Sequence, residues 1–189
     1  MRLFVAVDLP EEIKEKVGQV LKDLASVLSP EKADIKWVKP EQIHFTLKFL
    51  GECPEERIPE ITQTLDAAVK DIKPFTLRLG GLGVFPDKGP SRVIWLGLQE
   101  GKEAMSNLAL RTELALEPLG FASEDRPFSA HLTLGRVKST KHPDKIRSLL
   151  DAAVKKSLGV FSVGEVVLYR SILSPTGPTY SILHVTPLM

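Results

Sequence analysis

Cysteine is nearly missing from this chain. Cys53 is the only one in 189 residues, so no internal disulfide can form. It has no partner at metal-site spacing and reads as a structural or incidental thiol. An excess of one charge is missing as well: 25 Lys and Arg face 24 Asp and Glu, for a net charge of +1. No chain-wide field therefore recruits long nucleic acid or a membrane surface. A small substrate, or only the end of a nucleic acid, remains compatible. No apolar run approaches the length of a membrane-spanning helix. The apolar stretch from Leu3 to Val7 stops at Asp8 and Pro10, with Glu11 and Glu12 next, so it reads as a strand and not a signal peptide. A cytoplasmic monomer with no membrane partner is expected.

Several familiar catalytic phrases are also lacking. There is no Gly-x-Ser-x-Gly nucleophile elbow. Gly80-Gly81-Leu82-Gly83 runs into Val84-Phe85-Pro86 instead of a helix start, so it fits a turn or bulge better than a nucleotide-binding loop. The histidines have neither the i, i+4 helical spacing nor the cysteine company of common zinc sites. No metal and no cofactor are expected.

What is present is a short phrase that occurs twice. His44-Phe45-Thr46-Leu47 lies in the first half and His131-Leu132-Thr133-Leu134 in the second. Two such coincidences among four histidines have odds of roughly 3 in 10,000 from composition alone, so accident is a poor account. The shorter pattern discriminates less. His184-Val185-Thr186 also fits His-x-Thr, but Pro187 follows, and His184 serves as an internal control expected to carry no chemistry.

Around these phrases the chain alternates between strand and helix patterns. Residues 2–9 read as a strand, and Pro10 opens a helix carrying Ile13, Val17, Val20, Leu21 and Leu24 at helical spacing. Residues 35–38 and 43–50 read as strands, and Pro54 opens a second helix with Ile58, Ile61 and Leu65 on one face. Residues 75–85 and 92–98 are strand-like, 103–119 helical, and 129–137 a strand with the second motif. Pro143 opens a helix with Ile146, Leu149 and Leu150. Residues 160–173 read as one long strand region and 180–185 as a last strand, with a turn from Ser174 to Pro178 between them. The motif histidines are 87 residues apart, near half the chain, and no Gly- or Ser-rich linker separates the halves. The expected fold is α+β and bilobal. Two pseudo-symmetric lobes, each a small, mainly antiparallel sheet with outer helices, form one domain over residues 1–189 with the site in the cleft between them.

In a strand, residues two apart share a face, so each phrase presents an imidazole beside a hydroxyl. A neutral imidazole takes a proton from an attacking water, and a protonated one gives a proton to a leaving oxygen. Threonine hydroxyls donate to non-bridging oxygens where charge develops. His44, His131, Thr46 and Thr133 are thus a metal-free kit for a phosphodiester. By strand parity Lys48 joins the His44 and Thr46 face as a phosphate contact. Arg136 falls on the far face unless the strand ends or bulges at Gly135. Phe45, Leu47, Leu132 and Leu134 alternate away toward the cores. Trp37, Phe85, Phe128 and Tyr169 are available to stack a base, with a plain core role the simpler reading for each.

At these residues the chain resembles the two-histidine phosphoesterase superfamily. The flanks are similar to its RNA 2',3'-cyclic phosphodiesterase or 2'-5' RNA ligase branch. They are Pro40 to Gly51 around the first motif, Val84-Phe85-Pro86 before Arg92-Val93-Ile94-Trp95, Phe128 to Arg136 around the second, and Tyr169-Arg170-Ser171 through Tyr180. The resemblance spans essentially the whole chain. It implies hydrolysis of an RNA 2',3'-cyclic phosphate end to a 2'-phosphate without metal, RNA ends as the partner, and a possible weak reverse reaction forming 2'-5' linkages. It implies His44 and His131 as the acid–base pair, Thr46 and Thr133 as phosphate donors, and Arg136 as a phosphate-binding residue. Superfamily analogy leans toward His44 as acid and His131 as base; the residues themselves leave that division open. Two rival readings remain at this stage, RNA 2'-5' ligation as the working reaction and an RNA-end binding module without catalysis.

Overall fold

The computed structural model describes residues 1–29, 33–139, 146, 148, 150, 158–175 and 177–189. The helix expected from Pro143 lies mostly outside these residues, with Ile146 and Leu150 buried in the core. Among the described residues, nine strands form two antiparallel sheets. Strands β1 (Arg2–Val7), β3 (Phe45–Glu52), β8 (Glu165–Ser174) and β9 (Gly177–Pro187) make a four-stranded sheet in the order β3-β1-β8-β9. Strands β2 (Asp34–Trp37), β4 (Phe75–Phe85), β5 (Val93–Glu100), β6 (Leu132–Ser139) and β7 (Gly159–Val163) make a five-stranded sheet in the order β2-β6-β5-β4-β7. The first motif enters the four-stranded sheet and the second the five-stranded one, so the α+β, two-lobed expectation holds.

The lobes do not follow the sequence halves. β1 and β3 pair with the C-terminal β8 and β9, while β2, β4 and β5 join β6 and β7. The region 160–173, expected as one long strand, divides at Gly164, and its two parts lie in different sheets. Apolar residues on both sides of Gly164 conceal the break, because both parts bury side chains in one core.

Three helices with described ranges cover the sheets. Helix α1 (Glu11–Leu28) starts after Pro10 with Glu11 and Glu12 in its first turn, where the helix dipole favours acids. Its buried stripe is Ile13, Val17, Val20, Leu21, Leu24 and Leu28. Ile13 packs at Gly159, the first residue of β7. Helices α2 (Ile58–Val69) and α3 (Lys102–Leu116) pack on each other and against β9 and β3 of the four-stranded sheet. No helix among the described residues is long and apolar enough to cross a membrane.

β1 shows how the layers position the cleft. It is central in its sheet and buried along almost its whole length. Leu3, Val5 and Val7 enter the main core. On the opposite face Phe4 and Ala6 form a small cluster with Val167, Tyr169 and Tyr180. That second cluster supports the first motif.

Candidate active site

The two motifs are built alike. His44 sits just before β3, and its Nδ1 lies 2.8 Å from the carbonyl oxygen of Gln42. His131 sits just before β6, with Nδ1 2.7 Å from the carbonyl oxygen of Ser129. A carbonyl only accepts, so each Nδ1 carries the proton and donates it. Each neutral ring is thereby fixed in one tautomer, leaving Nε2 free to exchange protons with a bound group. Both imidazoles line one cavity of about 310 Å³, together with Thr46, Thr133 and Arg136. Arg2 and Lys36 add two further cations, and no carboxylate lines it among the described residues. The chain is near neutral overall, yet this cavity is built for an anion.

The surroundings of the two rings differ. His44 stacks on Phe4 with ring centroids 4.7 Å apart, and Tyr180 meets it edge-on at 5.3 Å. Phe4 in turn stacks on Tyr169 at 5.2 Å. Burial in this aromatic nest pushes the His44 imidazole below its ordinary value, against the pull of the Gln42 carbonyl and Asp8, which favour the cation. His131 has one aromatic neighbour, Phe85, edge-on at 5.0 Å.

Strand parity places Lys48 wrongly, and the reason is a bulge. Between β1 and β3, Val5 pairs with Lys48 but Ala6 with Thr46, so Leu47 is an extra residue. Lys48 therefore turns away from the cavity. It is 2 % exposed, and its ammonium bonds Glu113 at 2.9 Å and the Ala122 carbonyl. Glu113 also accepts the Glu124 N–H at 2.7 Å, so this cluster ties β3 and α3 to the loop after Gly120. Between β5 and β6 the same slip occurs: Ile94 pairs with Gly135 and Trp95 with Thr133, leaving Leu134 extra. Here the slip brings Arg136 into the cavity, which a regular strand would not do. Gly135 takes the inward position because Ile35 and Trp37 press on it; a Cβ there would lie 2.9 Å from each.

The duplicated bulge gives one more pair. The residue five after each motif histidine faces the cavity, Phe49 in one strand and Arg136 in the other. Phe49 is 58 % exposed, a large apolar ring held at the cavity mouth. Sequence reasoning missed it, and the signal was available: aligning the two motifs places 49 opposite 136. Arg2, Lys36, Gln42 and Tyr180 were missed too, and nothing near the motifs in sequence marks Arg2 or Tyr180. Of the aromatics considered for stacking, Trp37 lines the cavity, Phe85 touches His131, Tyr169 lies behind Phe4, and Phe128 lines a neighbouring cavity. The third His-x-Thr copy serves another purpose. His184 Nε2 lies 2.7 Å from Asp66, and the Thr186 hydroxyl donates to the same carboxylate at 2.8 Å, joining β9 to α2.

The Lys48 cluster carries a stability prediction. Glu113→Ala strips a buried ammonium of its charge partner and is expected to destabilise the fold by about 3 kcal/mol, the low end for a broken buried pair because Glu113 is partly solvated. Lys48→Met removes the charge altogether and should cost roughly 1 kcal/mol or less. Urea unfolding of the two variants checks the order, and a Lys48→Met loss larger than that of Glu113→Ala contradicts it.

Comparisons with known proteins match essentially the whole chain. A model described as LigT like Phosphoesterase matches twice, over residues 7–95 and 96–180, one copy per motif. An RNA 2',3'-cyclic phosphodiesterase of Archaeoglobus fulgidus is 40% identical over 185 residues, covering 98% of this chain and 99% of that protein. One from Methanothermobacter thermautotrophicus is 36% identical, covering 98% of this chain and 97% of the relative. Among solved structures, a Thermus thermophilus protein superposes with TM-score 0.79 at 33% identity, over 100% of this chain and 98% of its own. E. coli LigT complexed with 3'-AMP gives TM-score 0.75 at 28% identity, with 100% and 98% coverage. With the paired motif, the twofold match and full-length relatives, this chain belongs to the LigT-like phosphoesterase family of two-histidine enzymes.

Proposed function

We propose that this enzyme opens RNA 2',3'-cyclic phosphate ends to 2'-phosphates, without metal, by acid–base catalysis between His44 and His131. The observation that carries the reading is the pair of imidazoles in one cationic cavity. Each is tethered through Nδ1 to a backbone carbonyl two residues back and turns Nε2 free. Relatives named RNA 2',3'-cyclic phosphodiesterase over nearly the full chain support the substrate class.

A water attacks phosphorus in line with the 3'-oxygen. One imidazole takes its proton as the P–O bond forms. The P–O3' bond breaks, and the second imidazole, entering as its cation, protonates the departing 3'-oxygen. The product keeps phosphate on the 2'-oxygen and a free 3'-hydroxyl. The two histidines end with their protonation states exchanged, and solvent restores them. By the superfamily analogy His131 is the base and His44 the acid. Thr46 and Thr133 donate to the two non-bridging oxygens, and Arg136 balances their charge.

The test is a short RNA with a 2',3'-cyclic end, incubated in excess chelator, with the product's phosphate located. A 2'-phosphate is expected. A 3'-phosphate overturns the bond assignment, and chelator-sensitive turnover overturns the metal-free route. A 2'-5' linkage to an added 5'-hydroxyl end, formed in preference to hydrolysis, makes ligation the working reaction.

A further inference from the structure

A second cavity of about 690 Å³ lies beside the first, on the same face of the five-stranded sheet. The connection is direct. Trp95, in its lining, pairs across β5 and β6 with Thr133, and opposed residues of neighbouring strands share a face about 4.8 Å apart. Phe128, Ser129 and Ala130, also in its lining, lead straight into His131. Phe85 bridges the two, 5.3 Å from the Trp95 ring and 5.0 Å from that of His131.

Its floor is glycine. A Cβ at Gly83 would overlap the Trp95 indole, one at Gly97 would sit 3.0 Å from it, and one at Gly80 would sit 2.5 Å from the Gln99 amide carbon. The indole and the amide thus lie down on bare backbone across β4 and β5. The Trp95 Nε1–H is buried with no hydrogen-bond partner among the described residues, which costs free energy. A ring kept at that cost on a floor cleared for it is kept for the surface it presents. Lys102 and Ser106 stand at the rim, and no carboxylate lines this cavity among the described residues.

We infer that this cavity is a subsite for the nucleotide immediately 5' of the cyclic-phosphate-bearing one, stacking its base on Trp95 and pairing its phosphate with Lys102. The inference rests on the cyclic-phosphodiesterase reading of the first cavity. The chemistry matches single-stranded nucleic acid, whose recognition combines aromatic stacking with a cation on the backbone. Such a subsite makes the enzyme prefer RNA ends over free cyclic mononucleotides. Gln99, in the same lining, can read a base edge with its amide.

The experiment compares kcat/KM for a mononucleoside 2',3'-cyclic phosphate with that for a dinucleotide carrying the same terminal nucleoside and cyclic end. The wild type should favour the dinucleotide by roughly 10- to 100-fold, the range of one stacked base. Lys102→Ala and Trp95→Leu should each bring that ratio toward one, and Trp95→Phe should keep most of it. Damage to the fold lowers both values and leaves the ratio alone, and exposed Lys102 cannot act that way. A wild-type ratio of one overturns the subsite, as does a ratio that both variants leave intact. If neither substrate is opened, the active-site reading fails instead, and affinities for 2'-phosphate-terminated mono- and dinucleotides decide. Equal affinities overturn the subsite, and tighter dinucleotide binding that Lys102→Ala abolishes supports it.

Discussion

His44→Ala and His131→Ala are each expected to lower kcat by about 10²- to 10⁴-fold on an RNA 2',3'-cyclic end, the usual contribution of one positioned proton transfer. KM should change far less, because in the proposed mechanism the imidazoles act on the reacting oxygens as bonds form and break. His184→Ala is the matched comparison. It removes an imidazole that bonds Asp66 on α2, outside the cavity, so it should affect stability and leave kcat within about twofold. The double variant should be little worse than either single one, since two groups serving one proton circuit do not contribute additively. Full kcat in either single variant ends the two-histidine mechanism.

A pH profile follows from the same pair, which in the proposed mechanism enters turnover in opposite protonation states, so activity is expected to be bell-shaped. Burial against Phe4 holds His44 below the ordinary imidazole value near 6.5 in the free enzyme. With His44 as acid, its cation is required, so this depression lowers the fraction of free enzyme in the competent protonation state near neutral pH, and kcat/KM with it. A bound phosphate anion favours the cation and raises the value, so the alkaline limb of kcat lies at higher pH than that of kcat/KM. Coincident alkaline limbs would remove the argument that substrate binding charges His44.

The sequence showed the site's members better than its shape. The repeated phrase picked out both imidazoles and both hydroxyls because each pair lies two residues apart where a strand begins, and local geometry alone determines their shared face. Lys48 and Arg136 exposed the limit. Their directions depend on an extra residue in each motif strand, Leu47 and Leu134, and a bulge leaves no mark in apolar alternation when the inserted residue is itself a buried leucine. The bulge is what turns a lysine into a buried tie to α3 and an arginine into a cavity residue. Strand order was hidden for a different reason. Pairing of β1 with β8 joins residues nearly the chain's length apart, and nothing local records it. Gly80, Gly81 and Gly83 were legible as a break in strand character. The service of Gly80 and Gly83 as a floor for Gln99 and Trp95 needed the register of β4 against β5.

Thr46→Val and Thr133→Val are expected to lower kcat by about 10²- to 10³-fold each, the loss seen when one donor to a developing oxyanion is removed. Valine keeps the shape and the strand preference of threonine, so the change isolates the hydroxyl. Both residues are half-buried on paired strands, Thr46 opposite Ala6 and Thr133 opposite Trp95, so the sheet holds the backbone that carries each hydroxyl. Serine at either position restores a hydroxyl on a looser side chain and should recover most of the rate, whereas a purely packing role would be rescued by valine and not by serine. The split between kcat and KM decides what the donors do. A fall in kcat with KM nearly constant means the bonds strengthen as charge moves onto the non-bridging oxygens. A rise in KM with kcat preserved means that they hold substrate and transition state alike, and the two threonines would then be anchors for the phosphate while the histidines alone lower the barrier.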